Sequence, residues 1–289
     1  MLRQALTVSP IFPIRPKHHK RFCRLCSPSI PVNAFSQLKG AMYMRHLGMV
    51  LSASMQQTSM VMPRKKRKVV EHICLLKTKE DLGDEEEKDM LDYLYTTQYQ
   101  MRGIVAISLG RIADSNVENY THAVYMRFQT KEDLAKFYEN PFYLGVLNDH
   151  VMPYCHGLMN VDYESEVEDD ILPIFRKGEE FNFGLEFVLL IAFVESAYGV
   201  LAEGALASLD KLTEQFPSLI VQSTQGPNFN SGSQEYTHGV VTRFRSVEAF
   251  EIFVASQEYE DIFVSKLQPL TKKMLPIHFS VDPVGTELM

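Results

Sequence analysis

The first 70 residues contain no aspartate and no glutamate. The first acid is Glu71, and by then 13 lysines and arginines have passed. The rest of the chain holds 16 basic and 36 acidic residues, a balance of −20 that the overall net charge of −7 conceals. Two chemically different stretches meet near residue 70. The acidic one repels phosphates over most of its surface, so nucleic acid is not expected as a partner. No run of about 20 apolar residues occurs, and no membrane-spanning helix is expected. Cysteines number only four. Cys23 and Cys26 form a lone Cys-x-x-Cys without the second pair that a four-ligand metal site needs. Cys74 and Cys155 lie in apolar runs and read as core thiols rather than a disulfide, so nothing points to an oxidising compartment. Residues 70–289 also lack a glycine-rich phosphate loop, a zinc pattern and a Ser-His-Asp arrangement.

The acid-free stretch carries Arg3, Arg15, Lys20, Arg21, Arg24 and Arg45 among scattered serines, with no sustained helical or strand period. That is the composition of an organelle transit peptide, or of a disordered basic tail that stays attached, over residues 1–60. Plastid import is the first expectation, with mitochondrion, peroxisome or nucleus as alternatives. The nuclear alternative rests on PRKKRKV, residues 63–69, five consecutive positive charges. The C-terminal Glu287-Leu288-Met289 lacks a Ser-Lys-Leu type of signal.

What the chain does have is a repeat. Residues 118–128 read ENYTHAVYMRF and residues 234–244 read QEYTHGVVTRF. Aligning 120–143 with 236–259 needs no gap and gives nine identities in 24 positions. Tyr120, Thr121, His122, Val124, Arg127, Phe128, Glu132, Phe137 and Tyr143 recur as Tyr236, Thr237, His238, Val240, Arg243, Phe244, Glu248, Phe253 and Tyr259. Upstream, HICLLK at 72–77 matches FVLLIA at 187–192 as short apolar runs of the buried-strand type.

Each copy predicts the same order of elements. In the first, a strand at 72–77 precedes a helix at 84–101 whose acids crowd its first turn. Strands at 104–111 and 121–128 follow, joined through the turn residues Asp114-Ser115-Asn116. Thr130 caps a helix that Pro141 breaks and restarts through 150, and 155–163 closes as a strand. In the second, the strands fall at 185–195, 218–226, 236–244 and 278–282. Helices are expected at 198–215, from Ser246 to 254, and over 256–267. The acid-rich stretch 164–182 reads as a linker between a first unit at 70–163 and a second at 183–282. The order βαββα(α)β is a ferredoxin-like unit, a four-stranded antiparallel sheet with helices on one face. The other face is too apolar to stay wet. The expected fold is therefore α+β, two ferredoxin-like βαββαβ units pairing sheet to sheet as a dimeric-type α/β barrel, the fusion supplying the partner in cis.

These motifs resemble the stress-responsive A/B barrel family, the Dabb proteins, found mainly in plants. His72 to Lys77 resembles the family's opening His-apolar-Lys strand with one extra apolar residue. Leu109-Gly110-Arg111 stands where the family has Trp-Gly-Lys, and Tyr-Thr-His occurs at 120–122 and 236–238. The resemblance covers roughly 70–163 and 183–282, and the tandem-unit, transit-bearing members are the most similar in organisation. It implies a dimeric α+β barrel, a role in stress response or plant defence, and self-association, within the chain or as a homodimer. One branch of the family is a polyketide cyclase that uses the last His of His-Pro-x-His as base and a Tyr one helical turn earlier. Here the first copy is Asn140-Pro141-Phe142-Tyr143 and the second Ser256-Gln257-Glu258-Tyr259. The base position holds Tyr143 and Tyr259, and the Tyr position holds Phe137 and Phe253. Phenylalanine transfers no proton, and a tyrosine with a pKa of about 10 is a poor base at pH 7. The expectation is a non-enzymatic protein, with a small apolar ligand in the barrel cleft. The alternative is a small aromatic or polyketide-processing enzyme using cleft histidines.

The family's cleft histidines correspond to His72, His122 and His238, with Phe187 in the remaining place. With Tyr143 and Tyr259 they form the candidate ligand-binding set. The histidines read first as satisfied core residues, because no acid or cysteine accompanies them at catalytic spacing, and the tyrosines read equally as interface packing residues with a polar tip. No cofactor is expected from the residues themselves. The resemblance alone implies a possible Mg²⁺ site near the end of the first helix, at Gln98, Met101, Arg102 and Ile104, chiefly through backbone carbonyls.

Overall fold

A computed structural model of the chain describes residues 66–168 and 184–281. The 1–60 segment, Cys23 and Cys26, the C-terminal tripeptide and residues 169–182 of the expected linker lie outside the described residues. The first unit runs β1 (Lys66–Thr78), α1 (Asp84–Gln100), β2 (Ile104–Arg111), β3 (His122–Phe128), α2 (Lys131–Tyr138), α3 (Pro141–Val146) and β4 (Cys155–Glu168). The second runs β5 (Leu185–Phe193), α4 (Val200–Thr213), β6 (Ile220–Pro227), β7 (His238–Phe244), α5 (Val247–Val254), α6 (Gln257–Ile262) and β8 (Thr271–Ser280). A single π-helical turn follows both α3 and α6, at Leu147–Val151 and Phe263–Leu267.

Local chemistry accounts for the element ends. Four acids, Asp84 to Glu87, occupy the first turn of α1, where the helix dipole favours negative charge. Thr130 caps α2 by accepting from Asp133 N, and Ser246 caps α5 by accepting from Ala249 N. Asn140 caps α3, whose first residue is Pro141, the one helical position where a missing N–H costs nothing. Gly103 ends the α1–β2 connection at φ 99°, a conformation that disfavours side chains.

Three boundaries differ from expectation. β1 begins six residues before His72, so Lys66, Arg67 and Lys68 of the basic run are strand, opposite Glu168, Val167 and Glu166 of β4. β4 in turn continues to Glu168, which removes 164–168 from the expected linker. β8 starts at Thr271 rather than 278. Pro276 masks this in the sequence, yet β8 lies at a sheet edge, where a missing N–H is tolerated.

Both sheets are antiparallel, with strand orders β2-β3-β1-β4 and β6-β7-β5-β8. Alternation divides each strand between two faces. One face packs on its own helices. In the first unit this core includes Cys74, Leu76, Val124, Met126, Phe137 and Val146; in the second, Leu189, Ile191, Val240, Leu209 and Phe253. The opposite faces meet each other. Ile73, Leu75, Tyr125, Val161 and Tyr163 from the first sheet form one cluster with Val188, Leu190, Val241, Ile277 and Phe279 from the second. At roughly 1.5–3 kcal/mol for each large apolar side chain buried, this shared layer is a main source of stability for both units. The sheets also touch at both edges. Ile112, just past β2, bridges to Phe279 of β8, and Phe229 N, just past β6, donates to Asp162 O of β4 at 2.8 Å. The eight described strands thus form two sheets that face each other as a barrel, their edges meeting through isolated backbone contacts rather than a continuous ladder.

Candidate functional site

His72 and His122 lie on one face of the first sheet, the face covered by helices. His72 pairs with Met126, and His122 with Leu76, in the β1–β3 register. His72 Nδ1 lies 2.7 Å from Asp162 Oδ1, across the β1–β4 pair. Tyr138, from α2, donates to Asp162 Oδ2 at 2.8 Å. Asn230, from the β6–β7 loop of the second unit, donates to the same oxygen at 2.6 Å and to Tyr138 Oη at 3.0 Å. Burial pushes the Asp162 carboxyl up, but His72 and the donors Asn230 and Tyr138 outweigh it and hold Asp162 below the usual carboxylate range. His72 is fully buried, edge-on to Phe137 and Phe128, and its Nε2 has no hydrogen-bond partner among the described residues. A histidine whose one nitrogen is fixed by a carboxylate and whose other is free is the arrangement of an oriented imidazole. In the second unit the equivalent pair is Phe187 opposite His278, so this dyad is not duplicated.

His122 is satisfied on both nitrogens, by Thr121 Oγ1 at 3.0 Å and Glu87 Oε1 at 2.6 Å. Glu87 is also held by Arg111, which lowers its pKa first, with His122 adding to the effect. Burial lowers the His122 pKa despite Glu87. His238 keeps only the threonine contact, 3.0 Å to Thr237 Oγ1, and packs edge-on to Phe193. Its pKa too is lowered by burial.

Tyr143 and Tyr259 belong to the helix–sheet cores. Tyr143 is buried and stacks on Phe137 with ring centroids 3.9 Å apart. Burial drives its phenol well above the usual value. Tyr259 sits 5.1 Å from Phe253, its phenol likewise raised by burial. Tyr120 and Tyr236, in contrast, lie in the layer between the sheets. In the expected magnesium set, Gln98 Nε2 donates to Tyr95 O, Met101 caps α1, and Ile104 opens β2. Among the described residues no group of three or more His, Cys, Asp or Glu converges as a metal site.

A second polar assembly went unread in the sequence. Glu71 of β1 faces Arg127 of β3, and Glu186 of β5 faces Arg243 of β7, register partners in each sheet. Both acids are 0 % exposed, between the sheets. Arg127 Nη2 donates to Glu71 Oε1 at 2.6 Å, Tyr125 Oη to Glu71 Oε2 at 2.7 Å, and Arg243 Nε to Glu186 Oε1 at 2.7 Å. Each pair is tied to the opposite sheet, Arg127 to Gln222 Oε1 at 2.7 Å and Glu186 by Ser108 Oγ at 2.9 Å. Burial alone would lower the Arg127 pKa, but Glu71 and Tyr125 raise it and keep the guanidinium charged. A cavity of about 10 Å³ lies between the pairs, lined by Arg127, Glu186, Gln222 and Arg243 among others. That is room for a single water, not for an organic ligand. The available signal was an acid directly before each apolar strand, Glu71 and Glu186, recurring in step with the repeated arginines.

The architecture is that of an α+β barrel made of two ferredoxin-like units. The family model for the Stress responsive A/B Barrel Domain matches residues 70–165, which is the first unit from β1 through β4. That unit is similar to the stress-responsive A/B barrel domain, and the second repeats its topology. Two proteins of Arabidopsis thaliana, each named as a stress-response A/B barrel domain-containing protein, are similar over most of the chain. One is 24% identical over 217 residues, 74% of this chain and 79% of that protein. The other is 24% identical over 189 residues, 63% of this chain and 84% of that protein. Among solved structures, an anthrone oxidase-like protein shares the fold, with a TM-score of 0.51, 9% identity and coverage of 75% of this chain and 92% of its own. Among the described residues no helix is long and apolar enough to cross a membrane.

Proposed function

We propose that this is a non-enzymatic stress-response barrel protein, imported into plastids, that acts by binding a small apolar ligand rather than by turnover. One observation carries the non-enzymatic part. The two positions that the family resemblance assigns to proton transfer hold Phe137 and Tyr143, stacked on each other inside the helix–sheet core. A phenol whose ionisation is opposed by burial is no base at neutral pH. The ligand part is supported by His72, whose buried Nε2 offers one hydrogen bond among aromatic rings. A compact aromatic molecule with a single polar group matches that chemistry. The test is a thermal-shift titration of the intact protein with small aromatic phenols and ketones, with product analysis on the same samples. Stabilisation by ligand without product, lost in His72→Ala, is the expected result. No stabilisation by any such compound would remove the ligand reading.

A second reading is favoured by the His72–Asp162 pair. A carboxylate that orients an imidazole is the geometry of a general base, and the aromatic surroundings suit a small aromatic or polyketide-like substrate. Turnover abolished by both His72→Gln and Asp162→Asn, and left intact by His122→Gln and His238→Gln, would establish that reading over the first.

A further inference from the structure

The two units face each other across a pseudo-twofold axis, so each contact at one seam has a counterpart at the other. The counterparts differ in a way that selects the partner. Tyr163 of β4 lies over Gly226 and Gly239 of the second unit. A Cβ at Gly239 would stand 2.9 Å from Tyr163 Cε1 and 3.2 Å from Val161 Cγ1, and one at Gly226 2.9 Å from Tyr163 Cδ2. The ring cannot back away easily, because its hydroxyl is 2.9 Å from Thr224 Oγ1. At the other seam the counterpart of Tyr163 is Phe279, and that of Gly239 is Ala123. Gly110 is the counterpart of Gly226, and it too has no room for a Cβ, which would run into Ser280 O and Phe279. The larger, hydroxyl-bearing ring therefore has glycine at both positions, whereas the smaller ring has glycine at one and alanine at the place of Gly239.

Two polar positions differ in the same sense. Asp162 accepts from Asn230 at 2.6 Å; at the opposite seam His278 Nε2 lies 3.9 Å from Asp114 Oδ2. Arg127 donates to Gln222, whose first-unit counterpart is Ala106. If the first sheet closed on a copy of itself, Tyr163 would meet Ala123, Asp162 would meet Asp114, and Arg127 would lose its cross-barrel acceptor. A methyl at about 2.9 Å from a ring carbon is strongly unfavourable, and a second carboxylate beside the buried Asp162 in place of the donor Asn230 adds like-charge repulsion, moderated where the Asp114 position is exposed.

We infer that the first unit's sheet accepts the second unit as its partner and rejects a copy of itself, through the matched positions Tyr163/Gly239, Asp162/Asn230 and Arg127/Gln222. The second sheet closing on its own copy would meet no such clash, only a gap where Phe279 falls short of Gly239. Discrimination therefore resides mainly in the first unit. The chain's two halves are specific for one another, which directs the barrel to form between unlike units.

The test is made in the full chain by giving one seam the residues of the other. Gly239→Ala with Asn230→Asp confronts the first unit with its own seam; Ala123→Gly with Asp114→Asn confronts the second unit with its own. Thermal melts read both. The first pair is expected to lower Tm by roughly 8 °C or more and at least twice as far as the second pair, at the few degrees per kcal/mol usual for this size. Equal losses, or a first pair that melts within a few degrees of wild type, would overturn the inference. A chain carrying the first pair that fails to fold is in the expected direction, and a coupled series then decides. Gly239→Ala and Tyr163→Leu should each destabilise alone, while their combination is less harmful than the sum, since the leucine clears the added methyl. Simple additivity would show that Tyr163 and Gly239 are not a matched pair.

Discussion

Glu71 and Arg127 show how strongly a residue's meaning depends on what lies across from it. On an open sheet, an acid and an arginine opposite each other would be a solvated pair worth little. Beneath a second sheet both are desolvated, and removing one leaves the other charge stranded. Glu71→Gln or Arg127→Met is expected to cost about 3–5 kcal/mol in urea unfolding, and replacing both with apolar residues of similar volume less than either alone. Histidines supply a second residue-level prediction. Burial is the leading cause that lowers the pKa of His122, His238 and His278 below the ordinary 6.5. The unfolded chain then binds more protons in the interval between the folded and unfolded values. The stability these groups contribute is complete above pH of about 6.5 and is lost as pH falls through their lowered folded values. Glu87 and Asp162, both held below their ordinary values, extend the loss further into acid. Tm should decline from pH 7.5 to 5, and His238→Asn should flatten that decline; an unchanged slope would mean that His238 is not buried in its neutral form.

At the scale of elements, most boundaries were legible because they are set by local chemistry. Thr130, Ser246 and Pro141 announce helix starts from sequence alone, and the structure bears each out. Thr130→Ala and Ser246→Ala should each cost about 1 kcal/mol, measured by chemical denaturation, while Thr130→Asn stays near wild type. Gly103→Ala should cost more than either cap. It combines a φ of 99° with a Cβ placed 2.6 Å from Asp133, so a wild-type melting curve for that variant would contradict the turn geometry. The unread boundaries depend on distant partners. Lys66 to Lys68 look like part of a basic tail until Glu166 and Glu168 of β4 come opposite them, with Val69 and Val167 buried beside them. Pro276 argues against a strand until the sheet order puts β8 at an edge. The candidate site divides similarly. His72 and His122 could be placed on one face by alternation, but Asp162, Tyr138 and Asn230 come from a fourth strand, a helix and the other unit. No spacing in the sequence brings them together.

For the whole molecule, the repeat in the sequence and the pairing of sheets in the structure are one fact seen twice. Each unit has its own helix-covered core, yet the layer between the sheets belongs to both, and each Glu–Arg pair at its centre takes a hydrogen bond from or to the opposite unit. Neither half should then persist folded after the other has opened. The most direct measurement is equilibrium urea unfolding of the intact chain followed by residue-resolved hydrogen exchange, reading β1 amides for the first unit and β5 amides for the second. Coincident midpoints and equal free energies of opening for the two strands are the predicted result. Two separated transitions, with one unit fully protected while the other exchanges freely, would contradict a shared barrel core.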